Sequence, residues 1–137
     1  MRTINVGDVI SQGARSGTVR SADDLLEVKL GNPEIPCLQN RGPHPEHLFA
    51  GAYAACFHGA VLQAAERLKL NPGDSRIRVR VCLLEDSLEA WHLRVEIEGI
   101  LPELSPADTL RVLQEAHRTC PYSRALRGEA TVDLVAS

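Results

Sequence analysis

The chain has 137 residues, enough for one domain with a real core and too few for two comfortable ones. With 44% hydrophobic and 24% charged residues it has an ordinary soluble globular composition, and a formal charge of −3 gives no general attraction to nucleic acid or anionic lipid. Aromatic residues make up only 4%, too few for the stacking platforms that single-stranded nucleic acid needs.

The opening residues, MRTINVGDVISQGARSG, contain no apolar stretch of signal-peptide length, so no secretory signal is expected. GTVRS, a polar SADD turn and LLEVKL then predict a β-hairpin with Leu26, Val28 and Leu30 on one face. The segment 31–43, GNPEIPCLQNRGP, is rich in proline and glycine and reads as a loop. A helix is expected from Pro45, which suits the first helical position, with Glu46 at its positive end and NPG at 71–73 as its stop. About 24 residues at ~1.5 Å each make it roughly 36 Å long, long for so small a domain. Ala50, Gly51, Ala54, Ala55, Gly59 and Ala60 leave room for another backbone, so a central buried helix is expected. The apolar stretch 48–65 inside it is interrupted by His58 and Gln63 and is too marginal for a membrane span.

RIRVRVCLLE alternates Ile77, Val79, Val81 and Leu83 against Arg78, Arg80 and Cys82. WHLRVEIEGIL follows the turn EDSLEA, and the two strands predict a hairpin. Ser105, Pro106 and Asp108 are the capping signature of a second helix. Leu110, Leu113, His117 and Cys120 share one face of it, and Pro121 breaks it at Cys120. EATVDLVA alternates Ala130, Val132 and Leu134 as a last strand. The order ββ, helix, ββ, helix, β is that of a single α+β domain over 1–137 with a mostly antiparallel sheet.

Four cysteines, at 37, 56, 82 and 120, form no CxxC pair and no zinc-finger spacing, which argues against structural disulfides and structural zinc. A cytoplasmic location is expected, where thiols stay reduced unless they are catalytic. In the run AYAACFHGA, Cys56 reads either as a small core hydrophobe or as a nucleophile among apolar walls; helix position alone favours the first. Cys120 stands at the proline-induced break, while Cys37 in a loop and Cys82 on a strand face shared with arginines read as incidental. His117, three residues before Cys120, reads as a packed or hydrogen-bonded histidine. The alternative is one half of a Cys–His or metal pair, for which no third ligand has matching spacing.

Longer segments bear on these readings. HPEHLFAGAYAACF resembles the motif around the first reactive cysteine of the OsmC/Ohr peroxidase family. AHRTCPYSRALRGEATVDL is similar to the family's second-cysteine segment, in the CPYS form of the organic hydroperoxide resistance (Ohr) branch. GARSGTVRSADDLLEVKL resembles the N-terminal hairpin of the family, so the likeness runs in order from about Gly13 to the end of the chain. Ala14 departs from a position that is commonly glycine, His44 from one usually Asn or Ser, and His47 from one usually Gln or Glu. The segment 31–43 also lacks the Gly-rich run often seen there. None of these departures removes a reactive group; the loop and His47 bear on substrate preference rather than on the chemistry.

The resemblance implies an OsmC-like fold: an intertwined homodimer whose mostly antiparallel sheets wrap around two central helices, with active sites at the subunit interface. It implies a thiol-dependent organic hydroperoxide peroxidase without metal or bound cofactor, reduced by a dihydrolipoyl-type dithiol. Residue by residue, Cys56 would be peroxidatic, Cys120 resolving, and Arg15 and Glu46 catalytic partners. Without the motifs, Arg15 and Glu46 would be a surface hairpin arginine and a helix-start glutamate. Phe49 and Tyr53 share the helical stripe of Cys56; they either line a pocket for the organic half of the substrate or are plain core. Two rival functions stand beside this one: a zinc or Cys–His hydrolase using His117 with His44, His47 or His58, and a small-molecule-binding module with idle cysteines.

An unperturbed cysteine is about 3% ionised at pH 7, and a nearby guanidinium would raise that roughly 30-fold. Lowering the thiol pKa by about three units also costs roughly 15- to 30-fold in nucleophilicity. The two effects nearly cancel, so Arg15 is expected to hydrogen-bond the peroxide and stabilise charge on its leaving oxygen. Glu46 is expected to hold the guanidinium in a two-pronged pair. Glu46 and Cys56 are about 15 Å apart along a regular helix, so Arg15 must move between them or act across the dimer, unless the helix start is bent.

Overall fold

The computed structural model describes residues 1–34 and 41–137, so Cys37 and the middle of the expected 31–43 loop lie outside the described residues. The chain forms two compact units, Met1–Leu48 and Phe49–Ser137.

In the first unit, β1 (Val9–Gln12), β2 (Thr18–Ser21) and β3 (Glu27–Lys29) form an antiparallel sheet in the order β1-β2-β3. Val9 pairs with Ser21 and Gln12 with Thr18, and on the other side Thr18 pairs with Lys29 and Arg20 with Glu27. The hairpin of β2 and β3 is the one expected from sequence; β1 is not, because all four of its residues stay exposed and no apolar alternation marks them. Ser21 organises the SADD turn: its hydroxyl donates to Asp23 at 2.6 Å and accepts from the Leu26 N–H at 2.9 Å. Leu30, at the end of the hairpin, is buried.

Between β1 and β2 the chain makes a tight turn, with Gly13 and Ala14 at φ +82° and +54° and a 3₁₀ turn over Ala14–Ser16. The Gly17 N–H closes it on the Ala14 carbonyl at 3.1 Å. A side chain at Gly17 would run into the Gln12 carbonyl oxygen, so the turn that carries Arg15 requires glycine there. The unit ends with the first turn of α1 (Pro45–Arg67), opened by proline as the sequence predicts.

The second unit contains the rest of α1, the hairpin of β4 (Arg76–Glu85) and β5 (Trp91–Ile100), α2 (Pro106–Thr119) and a single turn, α3 (Pro121–Arg124). The hairpin is antiparallel along its whole length, from Arg76 paired with Ile100 to Glu85 paired with Trp91. Ser105 caps α2, its hydroxyl accepting the Asp108 N–H at 3.1 Å. The core joins Tyr53, Phe57, Ala60, Val61, Ala64 and Ala65 of α1 to Leu101, Val112, Ala116 and Cys120. Full burial of side chains such as Phe57, Val61 and Val112 contributes about 1.5–3 kcal/mol each.

Three details differ from expectation. The buried stripe of α2 runs through Val112 and Ala116 to Cys120, so Leu110, 55% exposed, and His117 fall outside it. Only one side of α1 is buried within the chain; Gly51, Ala52, Ala55 and Gly59 on the other side stay exposed. Residues 130–137 form no strand, because an alternating segment still needs a neighbouring edge to pair with; Val132, Leu134 and Val135 are exposed.

Candidate active site

Cys56 and Cys120 meet in the second unit, with their sulfurs 3.8 Å apart across 64 positions of sequence. Each arrives by a different route. Cys56 sits on α1, three residues after the buried Tyr53 and one before the buried Phe57, which places it at the edge of the core and leaves it partly exposed. Cys120 is fully buried at the break between α2 and α3. Pro121 holds it in an extended conformation, φ −58° and ψ 126°, and its N–H still bonds the Ala116 carbonyl at 2.8 Å. The break therefore aims Cys120 inward, where a continuing helix would have carried the chain past Cys56.

Both thiols are free. Burial pushes the Cys56 thiol above its ordinary range; its hydrogen bond with Cys120 and the repulsion of a second thiolate add to the rise, and the Tyr122 backbone N–H opposes it. The expected depression of Cys56 is not what the chain by itself provides. A thiolate of raised pKa is scarcer and more nucleophilic, so the same near-cancellation applies in the opposite sense.

Tyr53 is 1% exposed, and its ring packs edge-on against Phe49 and Phe57 at centroid distances of 6.1 Å. Its hydroxyl lies 2.5 Å from the Ser123 hydroxyl, which in turn lies 2.9 Å from Nδ1 of His117. Tyr53 is thus a core side chain tied to the second-cysteine segment, while Phe49 is half-buried against the same core. Burial raises the Tyr53 hydroxyl above its usual range, the Ser123 hydrogen bond works against that, and the charges of Cys120 and Cys56 both add to it. Sequence reading left Ser123 unassigned although CPYS was in view; it is a small polar residue one turn after Cys120, and full burial demands partners for its hydroxyl. Arg127, likewise unassigned, donates to the carbonyls of His117 and Arg118 at 2.9 and 3.1 Å and so satisfies the open end of α2.

In the first unit, Nη2 of Arg15 lies 2.7 Å from both carboxylate oxygens of Glu46. One nitrogen bridges two oxygens; the expected fork of two nitrogens does not form. His44 adds a third contact, its Nδ1 lying 2.9 Å from Oε2 of Glu46. Burial acts to raise the Glu46 carboxyl, but Arg15, its own backbone N–H and His44 together outweigh it and hold the group below the ordinary glutamate range. The His44 N–H donates to Nδ1 of His47 at 3.1 Å, so His47 supplies the reciprocal helix cap that a Gln or Glu would otherwise give. Arg15 and Glu46 are therefore brought together as expected, and the two substituted histidines are built into the same helix start.

Cys82 pairs with Arg94 across the β4–β5 hairpin, and His58 bonds the Ser75 hydroxyl at 2.9 Å. Among the described residues, no group of three or more His, Cys, Asp or Glu side chains is placed to hold a metal ion. An open groove of about 600 Å³ lies between β5 and α2, lined by Ile97, Leu101, Leu104, Leu110 and Leu113; neither cysteine is part of its wall.

A profile of the OsmC-like protein family matches residues 38–135. The chain belongs to the OsmC-like family. It is 32% identical over 128 residues to the organic hydroperoxide resistance protein-like 2 of Staphylococcus epidermidis, covering 92% of this chain and 90% of that one. It is 37% identical over 125 residues to the organic hydroperoxide resistance protein of Xanthomonas axonopodis pv. citri, covering 89% and 87%. The crystal structure of the organic hydroperoxide resistance protein OhrB of Bacillus subtilis superimposes with a TM-score of 0.82 at 32% identity, covering 90% and 92%. The resemblance carried by the two cysteine motifs thus holds, the chain falls on the Ohr branch of the OsmC-like family, and its fold is that of the family.

Proposed function

We propose that the chain is a thiol-dependent peroxidase that reduces organic hydroperoxides to alcohols in defence against oxidative stress. The observation that carries this reading is the pair of free sulfurs 3.8 Å apart, one partly exposed and one fully buried. The Cys56 thiolate attacks one peroxide oxygen; the O–O bond breaks, an alkoxide leaves and takes a proton, and Cys56 becomes a sulfenic acid. Cys120 then attacks the Cys56 sulfur, the S–O bond breaks, and water leaves as the disulfide forms. The sulfurs have only to close from 3.8 Å to the ~2 Å of an S–S bond. A dithiol of the dihydrolipoyl type reduces the disulfide by exchange.

Arg15, directed by Glu46, hydrogen-bonds the peroxide and stabilises the leaving oxygen, and Phe49 contributes to the apolar wall against which the organic group rests. The enzyme works in the cytoplasm as a homodimer. In support of the dimer, the small-residue side of α1 is exposed, and residues 130–137 keep a strand's alternation without a strand to pair with.

Consumption of cumene hydroperoxide with a dithiol reductant tests the reading. Wild-type protein turns over, and Cys56→Ser protein does not. A Cys56→Ser protein with undiminished consumption would return the chain to a binding module with idle cysteines.

A further inference from the structure

Tyr53 stands three residues before Cys56 on α1, and Ser123 stands three residues after Cys120 on α3, so each lies about one turn from its cysteine. The Tyr53 and Ser123 hydroxyls meet at 2.5 Å, and the two sulfurs meet at 3.8 Å. The two contacts therefore join the same pair of segments side by side. Tyr53 and Ser123 are both buried. The turn from Cys120 to Ser123 is closed by the Arg124 N–H on the Cys120 carbonyl at 3.0 Å, so a shift of Ser123 is passed to Cys120. A helix of four residues is too short to hold its own place, and the break at Cys120–Pro121 separates it from α2. Ser123 bridges that break as well, through its contact with Nδ1 of His117 at 2.9 Å.

We infer that Ser123 is a positioning residue for disulfide formation: its bond to Tyr53 pins the turn that carries Cys120 to α1, and so sets how fast Cys120 reaches an oxidised Cys56. The inference rests on the peroxidase reading above. Once Cys56 is a sulfenic acid, two fates compete. In one, the Cys120 sulfur bonds the Cys56 sulfur, the S–O bond breaks, and the released hydroxide takes the Cys120 proton and leaves as water. In the other, a second hydroperoxide gives one oxygen to the Cys56 sulfur, its O–O bond breaks, an alcohol leaves, and Cys56 ends as a sulfinic acid that a dithiol does not reduce. The first fate needs the sulfurs to close from 3.8 Å to about 2 Å, and its rate falls steeply when the partner is misplaced. The second needs nothing from Cys120. A pin one turn from the sulfurs therefore governs the share of Cys56 lost to over-oxidation without changing the first attack on peroxide.

The test compares wild-type, Ser123→Ala and Tyr53→Phe protein. Tyr53→Phe keeps the ring in the core and leaves Ser123 bonded to His117, so no buried hydroxyl is orphaned. Reduced protein is mixed with excess cumene hydroperoxide without reductant, and intact mass separates disulfide, which loses two hydrogens, from sulfinic acid, which gains two oxygens. Both variants should form disulfide about 2- to 10-fold more slowly, the size of one net hydrogen bond, and gain sulfinic acid in proportion. Ser123→Ala should leave single-turnover consumption of the first hydroperoxide unchanged. The double variant should be no slower than Ser123→Ala, because both changes remove the same bond. Without hydroperoxide, in a dithiothreitol redox buffer, the Cys56–Cys120 disulfide of each variant should be about 2- to 10-fold easier to reduce, a rise of about 9–30 mV in potential. An unchanged product ratio, an unmoved potential, additive effects, or equal slowing of both steps overturns the inference and leaves the peroxidase reading standing. Wild-type protein that forms neither product with the hydroperoxide overturns the peroxidase reading itself, and this inference with it.

Discussion

Arg15 holds Glu46 through a single nitrogen, Nη2, placed 2.7 Å from each carboxylate oxygen, and among the described residues its other donors bond no further side chain. A guanidinium anchored at one nitrogen suits the proposed second task of Arg15, binding the peroxide. Arg15→Met should slow peroxide reduction about 100-fold at pH 7, comparable to loss of one oxyanion donor. The loss should persist as pH is raised through and above the Cys56 titration, where thiol ionisation no longer limits. A wild-type rate for the variant above that titration would reduce Arg15 to an activator of the thiol.

Cys56 titrates above the ordinary cysteine range because of burial first and the Cys120 sulfur second. Cys120→Ser removes the second cause and should move the Cys56 titration downward, as read from thiolate absorbance or from alkylation by iodoacetamide across pH. The stability sign follows. A group whose folded pKa is raised contributes stability that is present below its unfolded pKa and is lost as pH rises through the folded value. Wild-type protein should therefore lose stability above about pH 8.5, and Cys120→Ser should flatten that decline. A Cys56 titration that stays in place or rises in the variant contradicts the assignment.

Ala14 adopts φ +54°, a left-handed conformation that costs a non-glycine residue about 1–2 kcal/mol. Ala14→Gly would remove that strain but add unfolded-chain entropy of about 0.4–1 kcal/mol. The balance should stabilise the protein by about 0.5–1 kcal/mol, measurable as a higher denaturant midpoint with an unchanged slope. A destabilised variant would mean that the methyl group of Ala14 packs to greater effect than its backbone strain.

Most of the fold is written in local pattern. Pro45, the Ser105 cap and the Pro121 break each name an element end through the physics of helix termini, and the strand alternation of 76–85 and 91–100 names the hairpin. β1 is not legible, because an exposed strand of four residues has no buried face to alternate. The reverse failure is residues 130–137, where alternation is present and a pairing edge is not. At the site, helix position alone placed Cys56 in the core, and the motif around Cys120 was needed to reverse that. Ser123 was unreadable for a different reason: its role depends on Tyr53, 70 positions away, and no periodicity connects them. His44 joined the Arg15–Glu46 pair for the same reason, as a contact set by the folded turn and not by spacing.

The central claim is that Cys56 and Cys120 form one redox unit. Intact mass measured after reduced protein meets one equivalent of an organic hydroperoxide tests it directly. Protein whose mass falls by two hydrogens, with the link mapped by peptide digestion to Cys56 and Cys120, is the result expected. Protein that gains oxygen on Cys56 and keeps Cys120 as a free thiol, or that remains unchanged, would contradict it.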